Sequence, residues 1–161
     1  MVLSSNEIHK LLEQLVDPAD HDLVNPASLD IRIGNNGLDE NGQSFKITDK
    51  LYPLLFYPGH FWLVETYETL TIPSNLCCEL KLKSSIARQG FNHSLAFWFD
   101  PGWIGKGTME VQNITNKPLK LYSGMRFAQL IFHELSSVPD KLYSGRYQGA
   151  TGVEGAKPEL S

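Results

Sequence analysis

The sequence predicts an all-β fold, a distorted barrel or jelly roll with one short N-terminal helix. Three observations lead there. Short apolar runs recur from residue 28 to residue 135, several of them alternating with polar residues. Pro and Gly punctuate those runs at close intervals. Only the first 16 residues carry a helical period, so helices cannot cover a sheet face and the strands must close on themselves. The chain has 161 residues, 42% apolar and 20% charged, which suits one globular domain over 1–161 with a real core.

The elements follow in order. Ser4 and Glu7 fit a capping box, and Ile8, Leu11, Leu12, Leu15 and Val16 then recur at helical spacing until Pro18. Residues 28–33 alternate, with Ser28, Asp30 and Arg32 against Leu29, Ile31 and Ile33, which predicts a strand with one buried face. Asn35-Asn36-Gly37 reads as a turn and residues 39–44 as a loop. Further strands are expected at 45–47, 54–57, 61–64, 70–82, 95–99, 107–114, 118–121 and 127–135. Residues 136–161 are rich in Gly, Ser, Pro and charge, and predict a flexible C-terminal tail or lid that orders against a ligand or a neighbouring subunit.

Composition excludes several functions. A net charge of −4 argues against a broad nucleic-acid surface. No apolar run nears the ~20 residues that span a bilayer, and the polar start MVLSSNEIHK does not resemble a secretory signal, so no membrane role and a cytoplasmic location are expected. Cys77 and Cys78 are adjacent, point to opposite faces of a strand, and read as core thiols in a reducing compartment. There is no GxxxxGK[ST] or GxGxxG phosphate loop, no GxSxG elbow, and no HxE…PCxxC set for a deaminating zinc. His9, His21, His60 and His133 show no ligand spacing.

The chemistry concentrates between Lys83 and Asn113. Ser84 and Ser85, with Lys83 and Arg88, could donate to a phosphate, and the same spacing describes a turn with a solvated basic face. Asp100, in Asp-Pro-Gly-Trp, could accept from a sugar hydroxyl or close an Asx turn. Glu110 shares a strand face with Thr108 and Gln112. If that face is interior, desolvation raises the carboxylate's proton affinity toward general acid/base use, while a nearby arginine opposes the shift; an exposed polar face fits the same pattern. His93 is either a proton carrier or a structural histidine. Arg146 and Tyr147, between Gly145 and Gly149, suit a phosphate lid or an ordinary surface tail.

Five blocks in order resemble the dCTP deaminases of the dUTPase-like superfamily: LSSNEIHKLL (3–12), NPASLDIRIG (25–34), YPGHFWLVETYETLTIP (57–73), KSSIARQGF (83–91) with DPGWIGKGTMEVQN (100–113), and YSGRYQGATG (143–152). The resemblance implies a homotrimer with active sites between subunits and zinc-independent conversion of dCTP to dUTP and ammonia, with dUTP then available for dUMP and dTTP synthesis. Glu110 matches the general acid/base, Ser84 and Arg88 match residues holding the water and the glutamate, and Ala96 matches a carbonyl that holds the water. Ser85 matches a phosphate contact, Asp100 the 3′-hydroxyl acceptor, and Tyr143 and Arg146 tail residues that close on the triphosphate. Lys83, Ile86, Ala87, Thr108 and Met109 complete the implied substrate-binding set. Mg²⁺ is implied as carried by the triphosphate, with no zinc, and dTTP as an inhibitor. Two alternatives stay open: a bifunctional enzyme that releases dUMP and pyrophosphate, and a non-catalytic nucleotide-binding relative. Four residues depart from the family pattern: Lys83 for arginine, Leu95 for threonine, Phe97 for a smaller or polar residue, and Ala150 for a glutamine that contacts the nucleotide.

Overall fold

The computed structural model describes residues 1–93, 96 and 98–158. Helix α1 (Ser5–Leu15) starts at the expected capping box: the Glu7 carboxylate accepts from the Ser4 amide at 3.2 Å and from the Ser4 hydroxyl. Its apolar stripe is buried at Ile8, Leu12 and Leu15. The strands that follow are β1 (Val16–Asp17), β2 (Val24–Asn25), β3 (Ser28–Leu38), β4 (Ser44–Lys46), β5 (Leu54–Phe56), β6 (Phe61–Thr71) and β7 (Leu76–Leu82). After the one-turn helix α2 (Ser84–Ala87) come β8 (Phe91–His93), β9 (Trp98–Phe99), β10 (Ile104–Asn113), β11 (Leu119–Leu121) and β12 (Arg126–Glu134).

Ten strands form one sheet whose main path runs β8-β10-β6-β3-β12-β7-β9, with β1, β2 and β4 attached beside it. The pairings are antiparallel, and the sheet curls around a core that includes Ile31, Ile33, Val64, Phe91, Met109, Val111, Phe127 and Phe132. Strands β5 and β11 make a separate ribbon that adds Phe56 and Leu121 to that core. The all-β class and the single helix of any length agree with the sequence. No helix among the described residues is long and apolar enough to cross a membrane.

The strand starting at Ser28 departs from expectation in two ways. From Ser28 to Gly34 both of its faces are buried or half-buried, because its polar face finds partners. Asp30 holds the Lys83 ammonium, and Arg32 pairs with Glu68 at 2.6 Å. The strand also runs through Asn35-Asn36-Gly37, where the sequence predicts a turn. The Asn35 amide and the Asn36 side chain both donate to Glu65, at 3.0 and 2.7 Å, so the register shift between Ile33 and Gly37 is absorbed as a bulge and the chain does not reverse. Residues 84–87 form a helical turn, with Ile86 buried beneath it. Strand β8 has no counterpart in the sequence reading, and of the expected strand 95–99, Leu95 and Phe97 lie outside the described residues. Cys77 and Cys78 are both buried and free, as their adjacency suggests.

Candidate functional site

Strand β10 alternates cleanly. Gly105, Gly107, Met109, Val111 and Asn113 are buried, while Lys106, Thr108 and Glu110 are half-buried on the opposite face. That second face, with Phe61 and Leu63 of β6, floors a cavity of about 470 Å³. Trp98, Asp100 and Trp103 form one wall, and Tyr143, Tyr147, Ala150 and Glu154 of the C-terminal segment form another. The wall at 100–103 is shaped by a turn in which the Trp103 amide donates to the Asp100 carbonyl at 3.1 Å. The Asp100 carboxylate accepts from the Trp98 indole at 3.1 Å.

Glu110 is the most chemically loaded group here. Burial pushes its carboxyl above the ordinary carboxylate range, with its own backbone amide opposing the shift. Its Oε2 is buried and makes no hydrogen bond. The cavity lining carries three carboxylates, Asp100, Glu110 and Glu154, against one ammonium, Lys106. That ammonium donates to the Thr66 and Tyr67 carbonyls at 2.9 and 2.7 Å. Glu154 pairs with Lys157 at 2.9 Å. A neutral polar group suits such a cavity; a bare polyanion does not.

The C-terminal segment lies across its own chain. Ala150 bridges Gly105 in parallel, with the Lys106 amide donating to the Ala150 carbonyl and the Gly149 amide to the Ile104 carbonyl, each at 2.8 Å. The Gln148 side chain accepts from the Ile104 amide at 2.9 Å and donates to the Gly102 carbonyl at 2.8 Å. The Glu154 amide donates to Thr108 Oγ1 at 2.9 Å. Gly105 permits the approach: its φ is +150°, and a Cβ there would sit 2.8 Å from the Ala150 nitrogen. Gly105→Ala is therefore expected to release the segment, seen as about tenfold faster tryptic cleavage after Arg146.

The structure gathers Ala96, Asp100, Thr108, Glu110 and Tyr143 around this cavity. The other sequence candidates lie elsewhere. Met109 is buried in the core on the opposite face. Lys83 is tied to Asp30, Ile86 is buried under α2, and Ser84, Ser85, Ala87 and Arg88 are exposed and do not line the cavity. Arg146 is exposed and donates to the Lys157 carbonyl at 2.7 Å. Sequence reasoning missed Phe61, Leu63, Trp98, Trp103, Lys106 and Glu154. Period-two alternation in β6 and β10 could have found Phe61, Leu63 and Lys106; nothing local marks Glu154.

Comparison with known proteins places this geometry in context. Residues 39–135 match the family described as dCTP deaminase-like. A dUMP-forming dCTP deaminase of Thermobifida fusca is 33% identical, with the match covering 100% of this chain and 94% of the relative. A dCTP deaminase of Pyrococcus horikoshii is 34% identical, covering 94% of each. Among solved structures, the 2′-deoxycytidine 5′-triphosphate deaminase of Agrobacterium tumefaciens superposes with a TM-score of 0.71 at 20% identity over 83% of this chain. It shares the fold, and the match spans 47% of that longer chain.

Proposed function

The chain belongs to the dCTP deaminase-like family, and from that premise we propose that it hydrolyses dCTP to dUTP and ammonia with Glu110 as general acid/base. The observation that carries this reading is the desolvated Glu110 carboxyl, with a free buried oxygen, on the floor of the cavity. A carboxylate whose proton affinity is raised by burial both accepts a proton and returns it. Glu110 takes a proton from a water as the water oxygen bonds to C4 of cytosine, and passes it to the ring nitrogen. A second proton moves from the new hydroxyl, through Glu110, to the exocyclic nitrogen. The C4–N bond then breaks and ammonia leaves. The Ala96 carbonyl would orient the water, and Asp100 would accept the deoxyribose 3′-hydroxyl. The acidic lining favours a triphosphate that arrives with Mg²⁺ over a bare one, and Mg²⁺ held by phosphate oxygens needs no protein cage.

The phosphates need more cationic donors than this cavity supplies, since its one ammonium, Lys106, is already bonded to two carbonyls. Ser84, Ser85 and Arg88 are exposed on and beside α2, away from it. A homotrimer with sites between subunits supplies them from a second copy. Mixing Glu110→Gln with Arg88→Ala subunits tests this: each variant alone is expected to be inactive, while randomly mixed trimers regain intact centres at about a quarter of their sites. No recovery after co-refolding would argue for a site built within one subunit.

A second reading is favoured by the dUMP-forming name of several relatives. The same site would then also split dUTP to dUMP and pyrophosphate. One assay decides among the readings by following ammonia and pyrophosphate together from dCTP and Mg²⁺. Ammonia alone supports the deaminase, both products support the bifunctional enzyme, and nucleotide binding without either supports a regulatory protein. Competition by dTTP in the same assay tests feedback inhibition.

A further inference from the structure

Glu65 is a buried carboxylate that the proposed chemistry does not use. It lies on the cavity face of β6, two residues beyond Leu63, and stands opposite Thr108; Leu63 stands opposite Glu110. Only 2% of Glu65 is exposed. One carboxylate oxygen is fixed from two sides, by the Asn35 amide at 3.0 Å and Asn36 Nδ2 at 2.7 Å. Asn36 is fixed in turn, because its Oδ1 accepts from the Lys46 ammonium at 2.6 Å. The rotamer of Glu65 is therefore set, and its Oε2 is buried with no hydrogen bond at all. A buried acceptor left unpaired is unfavourable and calls for a partner.

What covers Oε2 is the C-terminal segment. A Cβ at Gly152 would lie 3.3 Å from it, so the glycine lets the backbone pass close to the carboxylate. Two residues later the Glu154 amide is already bonded to Thr108 Oγ1, and two residues earlier Ala150 is already paired with Gly105. The segment is thus pinned on both sides of a fixed, unpaired carboxylate oxygen.

We propose that Glu65 is a positioning residue that seats the C-terminal segment, with Oε2 taking a backbone N–H of residues 152–153 as the segment settles onto β6, and that this seat tightens when the segment closes over bound nucleotide. The closing step rests on the reading of the cavity as a dCTP site. The seat itself does not. Its consequence for the reaction is indirect: Tyr143, Tyr147 and Glu154 reach the cavity on this segment, so the segment's placement sets substrate affinity more than the proton transfers.

The test has two arms. Without nucleotide, hydrogen exchange at residues 151–154 is expected to be about tenfold faster in Glu65→Ala than in wild type; equal exchange overturns the seat whatever the substrate proves to be. With substrate, Glu65→Gln keeps the side chain's size but loses the acceptor charge. It is expected to raise KM for dCTP about tenfold with kcat changed less than about twofold. Gly152→Ala is expected to raise KM similarly, and the double variant no further than either single one. An unchanged KM in Glu65→Gln overturns the proposed closure, as does a fall in kcat and melting temperature with KM unmoved. Absence of dCTP turnover by wild type is a separate result: it counts against the deaminase reading and leaves the exchange arm to decide on Glu65.

Discussion

Glu110→Gln is expected to lower dCTP turnover by about 10³-fold, because the amide keeps the shape and loses the proton transfers. The same change is expected to stabilise the protein at neutral pH. Burial raises the Glu110 pKa in the folded state, so the fold binds that proton more tightly than the unfolded chain does. The stability this contributes is fully present below the unfolded carboxylate's pKa and is lost as pH rises through the higher folded value. Above that folded value the wild type therefore carries a partly desolvated charge that the amide variant lacks. Removing it is worth about 1 kcal/mol, or about 2–4 °C in melting temperature, and the advantage shrinks on acidification. Melting curves at pH 4 and pH 7 beside a steady-state assay read both effects. A variant that loses activity and also melts lower would mean the residue is structural. The acid limb of the wild-type rate profile is expected above the usual carboxylate range, for the same reason.

Arg32→Met is expected to be the most damaging single change to stability, at about 3–5 kcal/mol, out of the roughly 5–15 kcal/mol that a typical domain has. The Glu68 side chain is 0% exposed and its charge is met by the Arg32 guanidinium at 2.6 Å and the Arg32 amide at 3.0 Å. The guanidinium also lies 4.7 Å over the Tyr67 ring and 3.6 Å from Asp20. Removing it strands a charge between β3 and β6, the strand pair on which one side of the cavity floor is built. The double variant Arg32→Met, Glu68→Leu separates charge from packing. It is expected to recover most of the loss in urea unfolding, since a well-packed apolar pair often matches a buried ion pair. If the double variant is as weak as the single one, the damage comes from lost packing.

These two residues also show what can be read from sequence. Glu110 stands out because it is a carboxylate between the apolar Met109 and Val111, and the strand puts it where period two requires, on the face of Thr108. Arg32 and Asp30 lie in an equally regular alternation, which predicts a solvated face. Asp30 is buried and Arg32 half-buried because Lys83 and Glu68, 53 and 36 residues away in the chain, cancel their charge. Pairings at that separation leave no local trace. The expected turn at Asn35-Asn36-Gly37 fails for a related reason: the Asn36 side chain and the Asn35 amide donate to Glu65, a strand away, and the Asn35 side chain accepts from the Ser123 hydroxyl, so neither side chain closes a local turn. The tail's composition leaves no trace of where it packs, and its Gln148 and Ala150 contacts lie in cis along 102–106. Asp100 is legible from its turn, but the aromatic lining of the cavity needs Phe61, Trp103 and Tyr147 to converge from three separate segments.

Strand β10 divides its labour by parity. Odd-numbered positions from Gly105 to Asn113 are sealed in the interior, and the even positions Lys106, Thr108 and Glu110 meet the cavity. The shape and charge of the cavity floor can therefore change by substitution at Lys106 and Thr108, beside Glu110, while the hydrophobic packing behind them stays untouched. The same arrangement penalises insertions severely. A single added residue in this strand would turn Met109 toward solvent and drive a glutamate into the apolar interior, so the lineage of this site is expected to vary by replacement and hardly ever by change in length.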